Sequence, residues 1–154
     1  MNHYQDSFDI SADTATVYAA LTTVKGLRGW WTQDCTGETA VGDTLHFRFG
    51  RTSKGMRIER LEPGREVHWL CTHAHIAADR LARRDEWVGT RIIFRLTSTG
   101  DGRTRLDFEH IGLVPEMECY DLCSGGWDYY LPSLRQFAET GRGRPHEVAA
   151  SAAA

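Results

Sequence analysis

The sequence predicts an α+β domain in which a curved antiparallel sheet of about six to seven strands wraps around one long C-terminal helix. Two short helices directly follow the first strand. Three observations lead to this class. Short runs of period-two alternation recur from residue 33 to residue 111, as antiparallel strands with one wetted face require. A helical period returns only between Pro115 and Glu139. The length, 154 residues, fits one domain able to bury about 70% of its unfolded surface, so a single core must serve both layers.

Taken in order, His3 to Ile10 alternates as a first strand. Ser11 to Leu21 (SADTATVYAAL) reads as a helix with Ser11 or Asp13 as N-cap and Val17, Ala20 and Leu21 on one face. Gly26 and Gly29 punctuate a second, shorter helix ending at Trp30 and Trp31. In TLHFRFG, Leu45, Phe47 and Phe49 share one strand face, opposite His46 and Arg48. Further strands are expected at Lys54 to Leu61, Glu66 to His73, Val88 to Thr97 and Thr104 to Ile111, with turns at Glu62-Pro63-Gly64 and Gly100-Asp101-Gly102. The last two strands form a hairpin. Its inward residues are Thr90, Ile92, Phe94 and Leu96 on one strand, and Thr104, Leu106, Phe108 and His110 on the other.

The charged insert ADRLARRDE reads as a loop or a single helical turn, solvated in either case. In the final helix Cys119, Cys123, Trp127, Tyr130, Leu134 and Phe137 recur at steps of four and three. Pro132 and the Gly125-Gly126 pair predict a bend or break near its middle. Gly141 is a natural stop. Residues 1–141 are therefore expected to form the single domain, and 142–154 a tail that contributes little to the core.

A formal charge of −3, from 18 basic and 21 acidic side chains, provides no global attraction for nucleic acid or anionic membranes. MNHYQDSFDI lacks the pattern of a secretory signal, and no apolar run is long enough for a membrane span, so a cytoplasmic protein is expected. Cys35, Cys71, Cys119 and Cys123 are expected as free thiols. Lys25 and Lys54 are the only lysines among the basic residues, and no function attaches to them from sequence. There is no Walker loop, dinucleotide fingerprint, HExxH or GxSxG, and no cofactor is expected.

Six stretches carry a family resemblance: FDISADTATVYAALT, GWW, GDTLHFRFG, EWVGTRIIFRLT, TRLDFEHIGL and GWDYYLPSLRQFAETGRGRP, together most of residues 4–145. They resemble the START-like or SRPBCC superfamily, whose helix-grip fold is shared by lipid-transfer domains, polyketide cyclases and the birch pollen allergen. Within it they are most similar to the bacterial branch named after the C-terminal domain of the activator of the heat-shock protein 90 ATPase. The resemblance implies a START-like fold with a ligand-sized cavity between sheet and helix, and implies no particular reaction.

On that layout, one of the adjacent tryptophans, Trp31, points inward and closes the cavity while the other covers the corner outside; the plainer alternative is that both fill the core. The sheet lends Phe47, Phe49, Met56, Ile58 and Trp69 to the cavity, then Phe94, Leu106, Phe108 and His110. The helix lends Cys123, Trp127, Tyr130 and Leu134. An inward His110 needs a partner, whether Tyr130, a backbone carbonyl or a ligand oxygen, and it is the one weak catalytic candidate.

Cys71, His73 and His75 alternate in CTHAH and would share a face on a regular strand, but nothing at proper spacing completes a zinc set, so no metal is expected. Cys119 and Cys123 line the cavity or hold a soft metal, or serve simply as small apolar residues. Asp85-Glu86 and Glu116-Glu118 read as solvated ends. The expected function is binding or carriage of a small hydrophobic molecule: lipid, polyketide or aromatic metabolite. The alternatives are a cyclase- or hydrolase-like enzyme using His110, and a protein-interaction module, either a homodimer or a chaperone partner.

Overall fold

In the computed structural model, which describes residues 2–148, the element order is β1 (Tyr4–Ile10), α1 (Thr14–Thr22), α2 (Val24–Trp30), β2 (Asp34–Gly37), β3 (Thr44–Phe49), β4 (Thr52–Glu62), β5 (Glu66–His75), β6 (Arg91–Ser98), β7 (Thr104–Ile111) and α3 (Tyr120–Thr140). The strands make one open antiparallel sheet in the order β1-β7-β6-β5-β4-β3-β2. The helix-grip expectation holds: a seven-stranded sheet, two short helices after strand one, and one long terminal helix against the core.

Local chemistry explains the helical corner. Asp13 caps α1, its Oδ1 accepting from the Thr16 N–H at 2.8 Å. Thr23 serves both helices, its hydroxyl donating to the Ala19 carbonyl and accepting from the Gly26 N–H. Gly26 is required by space, because a Cβ there would sit 2.7 Å from the Ala20 Cα. The tight turn brings α2 down so that successive helical positions, about 100° apart, both face the core. Trp30 and Trp31 are accordingly both buried, stacked 5.7 Å apart, with the Trp30 indole donating to the Ala20 carbonyl. Both rings face the core, and Trp30 does not cover the outside.

Further differences from the sequence reading have physical causes. The strand expected from Val88 begins at Arg91, because residues 87–90 form a turn in which the Trp87 carbonyl accepts from both the N–H and the hydroxyl of Thr90. The insert before it is not wholly solvated, since Leu81 within it is buried, as is Trp87 directly after it. In β5 the pairing slips between Met56↔Cys71 and Gly55↔His73, leaving Thr72 as an extra residue. Ala74 then faces inward, and His73 and His75 are exposed while Cys71 is buried. The three potential metal ligands of CTHAH therefore diverge, and among the described residues no group of three or more metal-competent side chains gathers.

Helix α3 runs unbroken through Pro132. Pro132 and Asp128, whose carbonyl it leaves without its usual helical donor, are both exposed, so water can satisfy that carbonyl. The helix begins later than expected, with Cys119 as its N-cap. Finally, residues 142–148 fold back: His146 makes paired backbone hydrogen bonds with Trp31 and Gln33, and the Arg144 N–H donates to Ser133 Oγ, whose hydroxyl holds the Trp30 carbonyl. This segment lies against the corner of α2 and β2. Residues 149–154 lie outside the described residues. Among those described, no helix is long and apolar enough to cross a membrane.

Candidate functional site

Alternation along β4 turns Lys54 to the same side as Met56 and Ile58. Met56 and Ile58 meet the closed core, whereas Lys54 lies nearer the strand's start, where sheet and α3 part. There a pocket of about 230 Å³ opens. Trp31, Phe49, Trp87 and Trp127 form aromatic walls; Cys123, Gly126 and Tyr130 come from α3, and His146 from the returning segment. Exposed Leu122 stands at its rim.

The walls belong to one stack of tryptophans. Trp87 and Trp127 lie 6.1 Å apart at 15°, and Trp127 and Trp31 lie 5.1 Å apart at 22°. Trp31 continues the stack to Trp69 at 5.9 Å. Offset near-parallel rings at these distances are a favoured arrangement, and they fix the walls before any ligand arrives. The indole of Trp87 donates to Cys123 Sγ at 3.1 Å, which pins that ring across the pocket.

The Lys54 ammonium lies 3.7 Å from the Trp87 ring centroid, 4.9 Å from that of Phe49 and 5.7 Å from that of Trp31. No carboxylate pairs with it among the described residues. Burial lowers its pKa from 10.5 to about 8, and the Cys123, Cys71 and Cys119 thiols oppose that shift. The accessible surface leaves Lys54 partly exposed, through the pocket, so solvent screening makes the true penalty smaller than full burial would give. Because the unfolded chain holds this proton more tightly than the native one, Lys54 costs stability below about pH 8, and the cost fades as pH rises toward 10.5.

The thiols divide by environment. Burial pushes Cys71 and Cys35 up to about 11. Cys123 is drawn below its ordinary value, chiefly by the hydrogen bond from Cys119, then by the Lys54 ammonium and the Trp87 indole. Glu86 ties the start of α3 by accepting from the Cys119 N–H, and Glu118 accepts from the Arg83 N–H. These carboxylates fasten the loop to the start of α3.

His110 sits beside the pocket and not in it. Its Nδ1 accepts from the Trp127 indole at 3.0 Å, and its Nε2 pairs with the Thr90 hydroxyl at 2.8 Å. With no exposed surface and both nitrogens engaged, it is held neutral well below its usual pKa, by burial first and by the Lys54 charge second. The expected contact with Tyr130 or with a ligand is replaced by this internal link between β6, β7 and α3. Thr90 is oriented in turn by the Trp87 carbonyl.

Of the residues expected around a cavity, Trp31, Phe49, Cys123, Trp127 and Tyr130 meet at the pocket. Phe47, Met56, Ile58 and Trp69 do not; they are packed solid beneath it, as are Phe94, Leu106, Phe108 and Leu134. The tryptophan stack fills the space between sheet and helix, so among the described residues the hollow between them lies at the end nearest β3, β4 and residue 146. Lys54, Trp87 and His146 were missed by the sequence reading. Lys54 shares the parity of Met56 and Ile58, which was the available signal.

A more open hollow of about 520 Å³ lies over α1 and α2. Its capping groups Asp13 and Thr23 already serve backbone N–H groups, and it offers no unpartnered buried polar atom. The aromatic pocket is the better site on chemistry.

A family model described as Activator of Hsp90 ATPase homolog 1-like protein matches residues 11–139. The chain belongs to this family. As a member it is similar to the solution structure of the Aha1 dimer from Colwellia psychrerythraea, at 30% identity and TM-score 0.76, covering 93% of this chain and 100% of that one. It shares its fold with CalU16 from Micromonospora echinospora at 20% identity and TM-score 0.63, over 86% of this chain and 71% of that one. It also shares its fold with DynU16, from the dynemicin biosynthetic locus, at 15% identity and TM-score 0.67, over 96% of this chain and 51% of that one. No curated protein matches the chain.

Proposed function

We propose that this family member binds a small hydrophobic molecule, about one substituted ring in size, between β3, β4 and α3. The observation that carries the reading is the aromatic-walled pocket of about 230 Å³. An apolar cavity of roughly 150 Å³ holds benzene, whereas drug-sized ligands occupy roughly 300–1,000 Å³. A single ring with a short substituent is the matching size. A long acyl chain would protrude, so aromatic metabolite and small polyketide fragment are favoured over intact lipid.

Binding is also favoured over catalysis by His110, because a general base needs a nitrogen free to take a proton and both of its nitrogens are committed. A dimer, as stated for the Colwellia relative, is the second reading for this chain and concerns assembly, not the pocket.

Titration with single-ring compounds such as phenol or toluene is expected to raise Tm and to change tryptophan fluorescence, since Trp31, Trp87 and Trp127 all line the site. At a ligand concentration one hundred times Kd the stabilisation is about 2.7 kcal/mol. A flat response across single-ring compounds would contradict the reading.

A further inference from the structure

We infer that the pocket selects aromatic ligands bearing a short anionic group, such as a one-ring carboxylate, with the Lys54 ammonium as the counter-charge. This rests on the reading of the pocket as a ligand site and names the chemical class of its occupant.

Lys54 is a charge without an acidic partner among the described residues. Lys54 reaches the pocket from the inward face of β4, and the residues lining that pocket include no aspartate or glutamate. The groups facing it are the thiols of Cys71 on β5 and of Cys119 and Cys123 on α3, with neutral His110 on β7. Tyr130 on α3 and His146 of the returning segment complete the titratable lining. Burial raises the Tyr130 hydroxyl above its usual value, so it brings no negative charge at neutral pH. The Glu86 carboxylate accepts from the Cys119 N–H and does not line the pocket.

Aromatic faces alone attract an ammonium only modestly and leave its charge uncompensated. A partly buried cation of this kind is stabilised far more by an anion that reaches it inside the same low-dielectric space. The same walls that leave Lys54 without an acid offer flat faces to a ring. A ligand with both features satisfies both halves of the site: the ring lies against Trp31, Trp87 or Trp127, and the carboxylate accepts from the three ammonium N–H donors. Lysine in place of arginine also suits a small pocket, being a compact point charge on a flexible stem.

The test uses isosteric pairs, benzoate against benzamide and phenylacetate against phenylacetamide, measured by calorimetry at pH 7 on the full chain. The carboxylates are expected to bind about tenfold tighter or more than the amides, as a charge-assisted hydrogen bond gives. Lys54→Met keeps the apolar stem and should abolish that preference, and a cooperative thermal unfolding transition shows that the variant is folded. Raising pH through about 8 should weaken carboxylate binding in the wild-type protein, and Cys123→Ser should retain this loss, separating the ammonium from the neighbouring thiol. Equal affinity for acid and amide would overturn the inference and leave the pocket reading standing. A preference that persists in Lys54→Met would overturn the assignment to Lys54. Binding of neither member of any pair would contradict the pocket reading itself.

Discussion

Trp127→Ala is expected to destabilise the domain by about 3–5 kcal/mol, the cost typical of removing a buried tryptophan without full collapse of the space. The ring is 2% exposed and stacks on both Trp31 and Trp87, with Phe108 tilted against it at 4.6 Å. It also donates to His110 Nδ1, which the substitution strands in a site without solvent. The better helix propensity of alanine recovers less than about 0.7 kcal/mol. Trp127→Phe separates the two contributions, because it keeps most of the packing and loses only the donor, with an expected cost nearer 1–3 kcal/mol. Urea unfolding at pH 7 measures both. A loss below about 1 kcal/mol for Trp127→Ala would mean that the stack is not a structural unit.

Gly126→Leu is expected to do the opposite to stability and to eliminate ligand binding. A Cβ at Gly126 meets no atom within 4 Å, and the residue lines the pocket from the middle of α3. Replacing a mid-helix glycine recovers about 1 kcal/mol of helix stability, while the leucine side chain occupies the space meant for a ring. Its neighbour supplies the control, since Gly125 is exposed, equally free of close atoms, and not part of the pocket. Gly125→Ala should therefore stabilise the helix with ligand affinity unchanged. Affinity for phenol or toluene should fall at least 100-fold in Gly126→Leu. Full retention of binding would place the ligand elsewhere.

The sheet and the terminal helix were legible because their signals are local and repeated. Leu45 with Phe47, Ile92 with Phe94, and Leu106 with Phe108 alternate on single strands and are buried together. The candidate site was less legible because it depends on contacts between distant segments. His110 could be seen to point inward, but its partners, Thr90 and Trp127, lie 20 and 17 residues away along the chain. Trp87 follows a run of charges that made its surroundings look wet. The bulge at Thr72 rotates the rest of β5 by one position, and no residue type in CTHAH announces it. Pro132 misled in the other direction, because a helix tolerates proline where the freed carbonyl meets water, and exposure is a tertiary property. His146 entered the site through backbone pairing with Trp31 and Gln33, which side-chain pattern does not encode.

The most direct test uses the five tryptophan indole N–H resonances as position markers during a titration with a single-ring ligand. Those of Trp31, Trp87 and Trp127 should shift together with one Kd, because their rings wall the pocket, while those of Trp30 and Trp69, buried in the solid core, should hold still. Shifts confined to Trp30 and Trp69, or no shifts at saturating ligand, would contradict a ligand site between the sheet and α3.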